Sequence, residues 1–331
     1  MNFEKWGEEN FIEFISKEFP VDRNIIGIGD DCAVIPIEEG KAWLITTDAL
    51  VEGVHFLKNE ISAKDLGYKT VVVNVSDIYA MGGMPNYAFL TIALPKTLEC
   101  IWMQQFIKGF KEACKKWNIL LLGGDTVGSK RDIFINLTLI GLGDQNKIKY
   151  RNQAQSGDVI CVSGFLGQSA GGLKALQTKT PRSLPVNHLI HTHFRPELLI
   201  EEGSWLASHS EVHAMMDISD GLNCDLKKLL KKSDKGAVVD IDQIPISPQL
   251  LEVSITQEWD ALELALVGGE DYCLLLTVCS DAFNALQKSF QKQFQRSLFA
   301  IGNINDSSNE LIYQRKGESI PINYTSYNHF H

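Results

Sequence analysis

Acidic residues recur at the ends of apolar segments in this chain: Asp30-Asp31, Asp48, Asp77, Asp125, Asp217, Asp220 and Glu270-Asp271. Most stand beside Gly, Ser or Thr, at the mouth of a strand or the start of a helix. A single Asp in such a place is an ordinary N-cap or turn residue. The repetition carries the information. If these loops converge, many carboxylates share one cleft, and their mutual repulsion calls for bound cations. Oxygen ligands without a Cys/His set point to a hard metal, Mg²⁺ or Ca²⁺. Mg²⁺ takes one or two carboxylates, keeps several waters and accepts phosphate oxygens. Several Mg²⁺ ions with a nucleoside triphosphate are therefore the expected occupants.

Glycine-rich segments supply the other half of a phosphate site. Gly27-Ile28-Gly29, Gly123-Gly124, Gly164 to Gly172 and Gly268-Gly269 let backbone N–H groups approach an anion closely. Each is a weak signal alone. The chain has no GxxxxGK[ST] and no protein-kinase His-Arg-Asp or Asp-Phe-Gly set, which excludes a Walker-type or protein-kinase site.

The elements that must position these residues follow from periodicity. Trp6, Phe11, Phe14, Ile15 and Phe19 predict a first helix, ended by Pro20. Strand-like pieces flank the turn at Gly29, and Trp43 to Asp48 is a strand. Residues 62–81 carry valines that favour a strand, but Leu66, Thr70, Val73, Asp77 and Ala80 step by four and three. That spacing predicts a helix, with burial overriding the β-branched penalty. Then come strand 87–94, helix 99–117, strand 119–122, a turn at Gly123-Gly124-Asp125-Thr126 and strand 133–142. Polar residues 143–158 place a domain boundary near 150, giving domains 1–149 and 150–331. The second half restarts with strand 159–163 and a glycine-rich run into a helix. Met215 to Gly221 lead into a helix with an apolar stripe of Leu222, Leu226, Leu229 and Leu230, and strands 237–241 and 274–278 follow. Strands and helices mix without strict alternation, so the expected class is α+β, an α/β N-terminal domain with an α+β C-terminal domain. His188, His191 and His193 cluster in a polar stretch with Pro181, Pro185 and Pro196, and a solvated loop is expected there.

Length and composition bound the rest. The chain has 331 residues, enough for two domains with full cores. Hydrophobic residues make up 44% and charged residues 22%, which excludes disordered and collagen-like classes. The net charge of −10 disfavours non-specific binding to nucleic acid or anionic membrane. No apolar run approaches the ~20 residues of a membrane span. The N-terminus is acidic and amphipathic, unlike a signal peptide, so a cytoplasmic enzyme is expected. The seven cysteines are scattered without CxxC spacing and are expected to be buried free thiols.

Six ordered motifs resemble the thiamine-monophosphate kinase family and cover nearly the whole chain. They are Gly27-Ile28-Gly29-Asp30-Asp31-Cys32-Ala33, Thr47-Asp48-Ala49-Leu50-Val51-Glu52-Gly53-Val54-His55-Phe56, Val73 to Gly82, Gly123-Gly124-Asp125-Thr126, Asp217-Ile218-Ser219-Asp220-Gly221-Leu222 and Gly268-Gly269-Glu270-Asp271-Tyr272. The resemblance implies the aminoimidazole-ribonucleotide synthetase-like fold, whose N-terminal domains pair across a homodimer to close a β-barrel. It implies ATP-dependent phosphorylation of thiamine monophosphate to thiamine diphosphate. Carried over by position, it makes Asp31, Thr46, Thr47, Asp48, Asp77, Asp125, Asp217 and Asp220 the magnesium ligands. Either Asp30 or Asp31 can serve at the first of these positions. It gives ATP contacts to Gly124, Asp125, Arg151 and Ser219, and thiamine monophosphate contacts to His55, Glu270 and Tyr327. No covalent nucleophile or essential general base is expected, because the acceptor phosphate is already ionised near neutral pH. The family's basic residue after the Gly-Gly-Asp-Thr motif is missing at Gly128. Two other readings remain at this point. One is another ATP-using enzyme of the same fold, an amidine-forming ligase or a selenophosphate synthetase. The other is a catalytically silent nucleotide-binding scaffold.

Overall fold

The structure is a computed structural model, and it describes residues 6–322 and 324. The N-terminal half comprises α1 (Glu8–Glu18), β1 (Ala33–Pro36), β2 (Lys41–Val51), α2 (Ala63–Ala80), β3 (Met84–Pro95), α3 (Cys100–Lys116), β4 (Leu120–Ser129) and β5 (Phe134–Asp144). Its five strands form one sheet in the order β1-β2-β5-β3-β4. All neighbours are antiparallel except β3 and β4, which α3 joins as a parallel crossover.

Helix α2 is the pivot of the molecule. It packs against β2, β5 and α3, and on its far side against β7 (Val212–Asp217) of the second sheet. Nearly every residue from Ala63 to Ala80 is buried. A helix covered all round need not be amphipathic, and its valines pack rather than unravel it. The Ser62 hydroxyl accepts from the Asp65 N–H at 3.0 Å, capping the N-terminus.

The C-terminal half comprises β6 (Val159–Val162), α4 (Gln168–Gln177), α5 (Leu184–Phe194), α6 (Ile200–Ala207), β7, α7 (Leu222–Ser233), β8 (Gly236–Asp240), α8 (Pro248–Gln257), α9 (Ala261–Val267), β9 (Leu274–Val278), α10 (Ser280–Phe294), β10 (Phe299–Asn305), β11 (Leu311–Arg315) and β12 (Glu318–Ile320). The seven strands run β12-β11-β8-β10-β6-β9-β7. Alternate residues feed two cores. Cys161, Met215, Leu274 and Leu276 join the core shared with α2 and α10, while Ile160, Val162, Met216 and Leu275 pack with the leucine stripe of α7. Burial on both faces explains the unbroken apolar run Leu274-Leu275-Leu276. The fold is thus α+β as expected.

Three local expectations are corrected. Gly123 to Thr126 is no turn: β4 runs straight through it, with Gly124 opposite Leu90 and Asp125 opposite Thr91. Gly124 has φ 147°, and a Cβ there would overlap the Leu90 carbonyl oxygen, so the glycine permits close strand approach. The His188/His191/His193 segment is no loop but helix α5. Pro185 occupies its first turn, where a missing N–H costs nothing, and Ser183 caps it. No disulfide joins the cysteines, but only four are buried: Cys100 is exposed, and Cys224 and Cys279 are half-buried.

Candidate active site

Three elements deliver three carboxylates to one point. Asp31 precedes β1, Asp77 lies in the last turn of α2, and Asp217 ends β7. One oxygen from each lies within 4.8 Å of the others. Neighbouring hydroxyls orient them: Thr46 on β2 donates to Asp77, and Ser76 Oγ donates to Asp217 at 2.5 Å. Burial pushes the Asp77 and Asp217 carboxyls well above their ordinary range, and the other carboxylates add to it. Asp48, on the face of β2 that α2 covers, is pushed up to about 6 by burial and by Asp220. Its peptide N–H donates to Asn74 Oδ1 at 3.1 Å. Thr47 points to the other face, where its hydroxyl meets Thr138 Oγ1 at 3.1 Å.

The adjacent aspartates differ. Arg151 reaches from the second half to pair with Asp31, while Asp30 Oδ1 stands 3.9 Å from the guanidinium. Asp31 is the one that joins the cluster. Burial, reinforced by Asp31, raises the Asp30 carboxyl to about 7. One guanidinium against this many buried carboxylates leaves an excess of negative charge. Hard oxygen donors with unrelieved repulsion fit divalent cations of the Mg²⁺ type.

The loop after β7 is organised by Asp225 in the first turn of α7. Its Oδ2 accepts from the N–H groups of Ser219 at 3.1 Å and Asp220 at 2.9 Å. Lys228 bridges Asp225, at 2.9 Å, to Asp220. The Ser219 carbonyl in turn accepts from the Glu270 N–H at 2.8 Å, which lays the Gly268–Tyr272 segment beside this loop.

Glu270 is held in a left-handed backbone conformation, φ 64°. Lys69 of α2 donates to its Oε2 at 2.9 Å, and His193 Nδ1 lies 3.3 Å from the same oxygen. Burial alone would raise this carboxyl, but Lys69 and His193 hold it below its usual value. The neighbouring Asp271 accepts from Gly167 N–H at 2.6 Å and Ser169 N–H at 3.2 Å at the start of α4. His55, after β2, accepts at Nδ1 from the Val51 N–H at 3.1 Å.

The AIR synthase related protein family matches twice, its N-terminal domain over residues 29–143 and its C-terminal domain over residues 155–314. A thiamine-monophosphate kinase of Buchnera aphidicola (from Schizaphis graminum) is 38% identical, over 98% of this chain and 99% of its own length. That of Haemophilus influenzae is 35% identical over 98% of each. This chain belongs to the thiamine-monophosphate kinase family. Among solved structures, AaThiL complexed with AMPPCP and TMP superposes with a TM-score of 0.85 at 31% identity, covering 97% of this chain and 96% of that one.

Of the residues expected from sequence, the fold brings together Asp31, Thr46, Asp48, Asp77, Arg151 and Asp217, with Ser219 and Asp220 on the adjoining loop. Gly124 and Asp125 lie apart on exposed β4, and Asp125 does not join the compact group of Asp31, Asp77 and Asp217. Tyr327 lies outside the described residues. Sequence reasoning missed Lys69, His193, Asn74, Ser76 and Asp225. Ser76 was legible in principle, since it abuts Asp77 in a quoted motif.

Proposed function

We propose that this chain transfers the γ-phosphoryl group of ATP directly to the phosphate of thiamine monophosphate, yielding ADP and thiamine diphosphate. The observation that carries this reading is the convergence of Asp31, Asp77 and Asp217 beside the loop that bears Glu270, in a chain of this family. A phosphate oxygen of thiamine monophosphate attacks the γ-phosphorus in line, and the bond to the ADP oxygen breaks. The acceptor is already ionised, so no residue need remove a proton and no phosphoenzyme forms. Asp31, Thr46, Asp48, Asp77, Asp125, Asp217 and Asp220 would hold several Mg²⁺ ions, with Asp31 rather than Asp30 at the first position and without the Thr47 hydroxyl, which faces the other side of β2. Bound Mg²⁺ supplies neutralisation of the phosphate charge. Ser219 and Gly124 offer groups to ATP, with Asp125 joining them through metal. Arg151 exchanges its pairing with Asp31 for phosphate oxygens, a bidentate match. His55, Glu270 and Tyr327 receive the thiamine end.

The reading places the division of labour at residues 1–149 and 150–331, with the phosphates between them, and the enzyme in the cytoplasm. No helix among the described residues is long and apolar enough to cross a membrane. It also makes the protein a homodimer. The edge strand β4 exposes Leu120, Leu121, Leu122 and Val127 along an unpaired ladder, which a second copy would cover. Gly124 and Asp125 lie on that strand and would then sit at the interface.

Incubation with ATP, Mg²⁺ and thiamine monophosphate tests the activity. Equimolar ADP and thiamine diphosphate are expected. ATP hydrolysis without diphosphate formation refutes the reading.

A further inference from the structure

We propose that Lys69 and His193 are positioning residues that fix the ionised Glu270 carboxylate with one oxygen turned to an N–H donor of the substrate, such as the amine of an aminopyrimidine. The proposal rests on the assignment of Glu270 to the thiamine end. Lys69 sits in the middle of α2, with its side chain 1% exposed. A buried ammonium is costly unless paired, and an apolar side chain would fill the same space in this helix. Its Nζ lies 2.9 Å from Glu270 Oε2 across 201 residues of sequence. His193, in the last turn of α5, brings Nδ1 to 3.3 Å of that same oxygen.

Both partners therefore take Oε2. Oε1 meets the Tyr272 hydroxyl at 3.5 Å, the limit of a hydrogen bond, and keeps lone-pair capacity for a further donor. His193 Nδ1 also meets Ser169 Oγ at 2.9 Å, so one ring nitrogen faces both that hydroxyl and Oε2. Burial, with Lys69 beside it, lowers the His193 pKa to about 3, so the ring stands against Oε2 without adding a second positive charge. The backbone is set for the same purpose. Glu270 at φ 64° and Tyr272 at φ 52° both occupy the left-handed region, a strained arrangement typical of ligand clamps. Lys69 comes from the N-terminal half and His193 from the second, so the pair fixes Glu270 relative to both.

Steady-state kinetics on the full-length enzyme, with thiamine monophosphate and Mg-ATP varied in turn, test the role. Lys69→Met should raise KM for thiamine monophosphate about tenfold, the scale of a hydrogen bond to a charged group, and leave KM for ATP in place. In a Glu270→Gln background it should add little, because both changes remove one shared interaction. His193→Leu is the second variant should Lys69→Met fold poorly. It should raise the same KM, and His193→Asn, whose polar amide can stand in for Nδ1 between Ser169 and Oε2, should restore it. An unchanged KM in Lys69→Met or His193→Leu, beside a raised KM in Glu270→Gln, overturns the positioning role alone. An unchanged KM in Glu270→Gln overturns the substrate assignment and the positioning role together.

Discussion

Ser76 on helix α2 donates its hydroxyl to Asp217 at the end of β7, at 2.5 Å, joining the two halves of the molecule inside the acidic cluster. The bond favours the ionised form of a carboxylate that burial otherwise drives toward protonation. Ser76→Ala should therefore raise the Mg²⁺ concentration needed for half-maximal activity, by roughly tenfold for a charged hydrogen bond of about 1.5 kcal/mol. A magnesium titration of both enzymes at saturating ATP checks this.

Asp48→Asn and Asp217→Asn keep side-chain shape and remove a charge. Turnover should fall by roughly two orders of magnitude, about 3 kcal/mol of transition-state stabilisation. Without metal, melting temperature should rise in both, because buried repulsion is relieved. Mg²⁺ should stabilise the wild type by about 2.7 kcal/mol at a hundredfold excess over Kd, and stabilise Asp217→Asn less. Scanning calorimetry in EDTA and in Mg²⁺ reads both effects.

These partners show what could be read from sequence. Asp31, Asp77 and Asp217 were legible because a short acidic residue at the end of an apolar segment lies at an element's mouth, whereas Asp48 and Asp125 sit inside β2 and β4. Helix α2 was legible because its period survived its valines. The Gly123-Gly124 strand was not, because the same residue type serves turns and close strand approach. The histidines of α5 misled because proline marks both loops and first helical turns. Lys69 and Asp225 each look like a solvated charge until the fold supplies the partner, and for Lys69 that partner is 201 residues away.

Asp271 sets a pH dependence. Burial raises its carboxyl to about 7, against the lowering effect of the N–H groups of Gly167, Gln168 and Ser169. A folded-state pKa above the unfolded one means that stability is full below about pH 4 and is lost as pH rises through 7. Asn in its place does not ionise. The melting temperature of Asp271→Asn minus that of the wild type should grow more positive from pH 5 to pH 8. A constant difference would refute this.

The exposed edge of β4 makes a prediction about assembly. Leu120 and Leu122 of that strand are 60% and 55% exposed. The wild type should sediment as a dimer. Replacing both leucines with Glu should give a folded monomer, seen as halved mass by analytical ultracentrifugation with unchanged circular dichroism. A monomeric wild type would contradict the dimer.

A single-turnover reaction with ATP labelled at the γ-phosphate tests the central claim, direct metal-assisted transfer at the carboxylate cluster. With Mg²⁺ and thiamine monophosphate, the label should appear in the terminal phosphate of thiamine diphosphate. The protein should stay unlabelled at every time point, and EDTA should abolish transfer. Label on the protein before it reaches product, or full transfer in EDTA, would contradict the account.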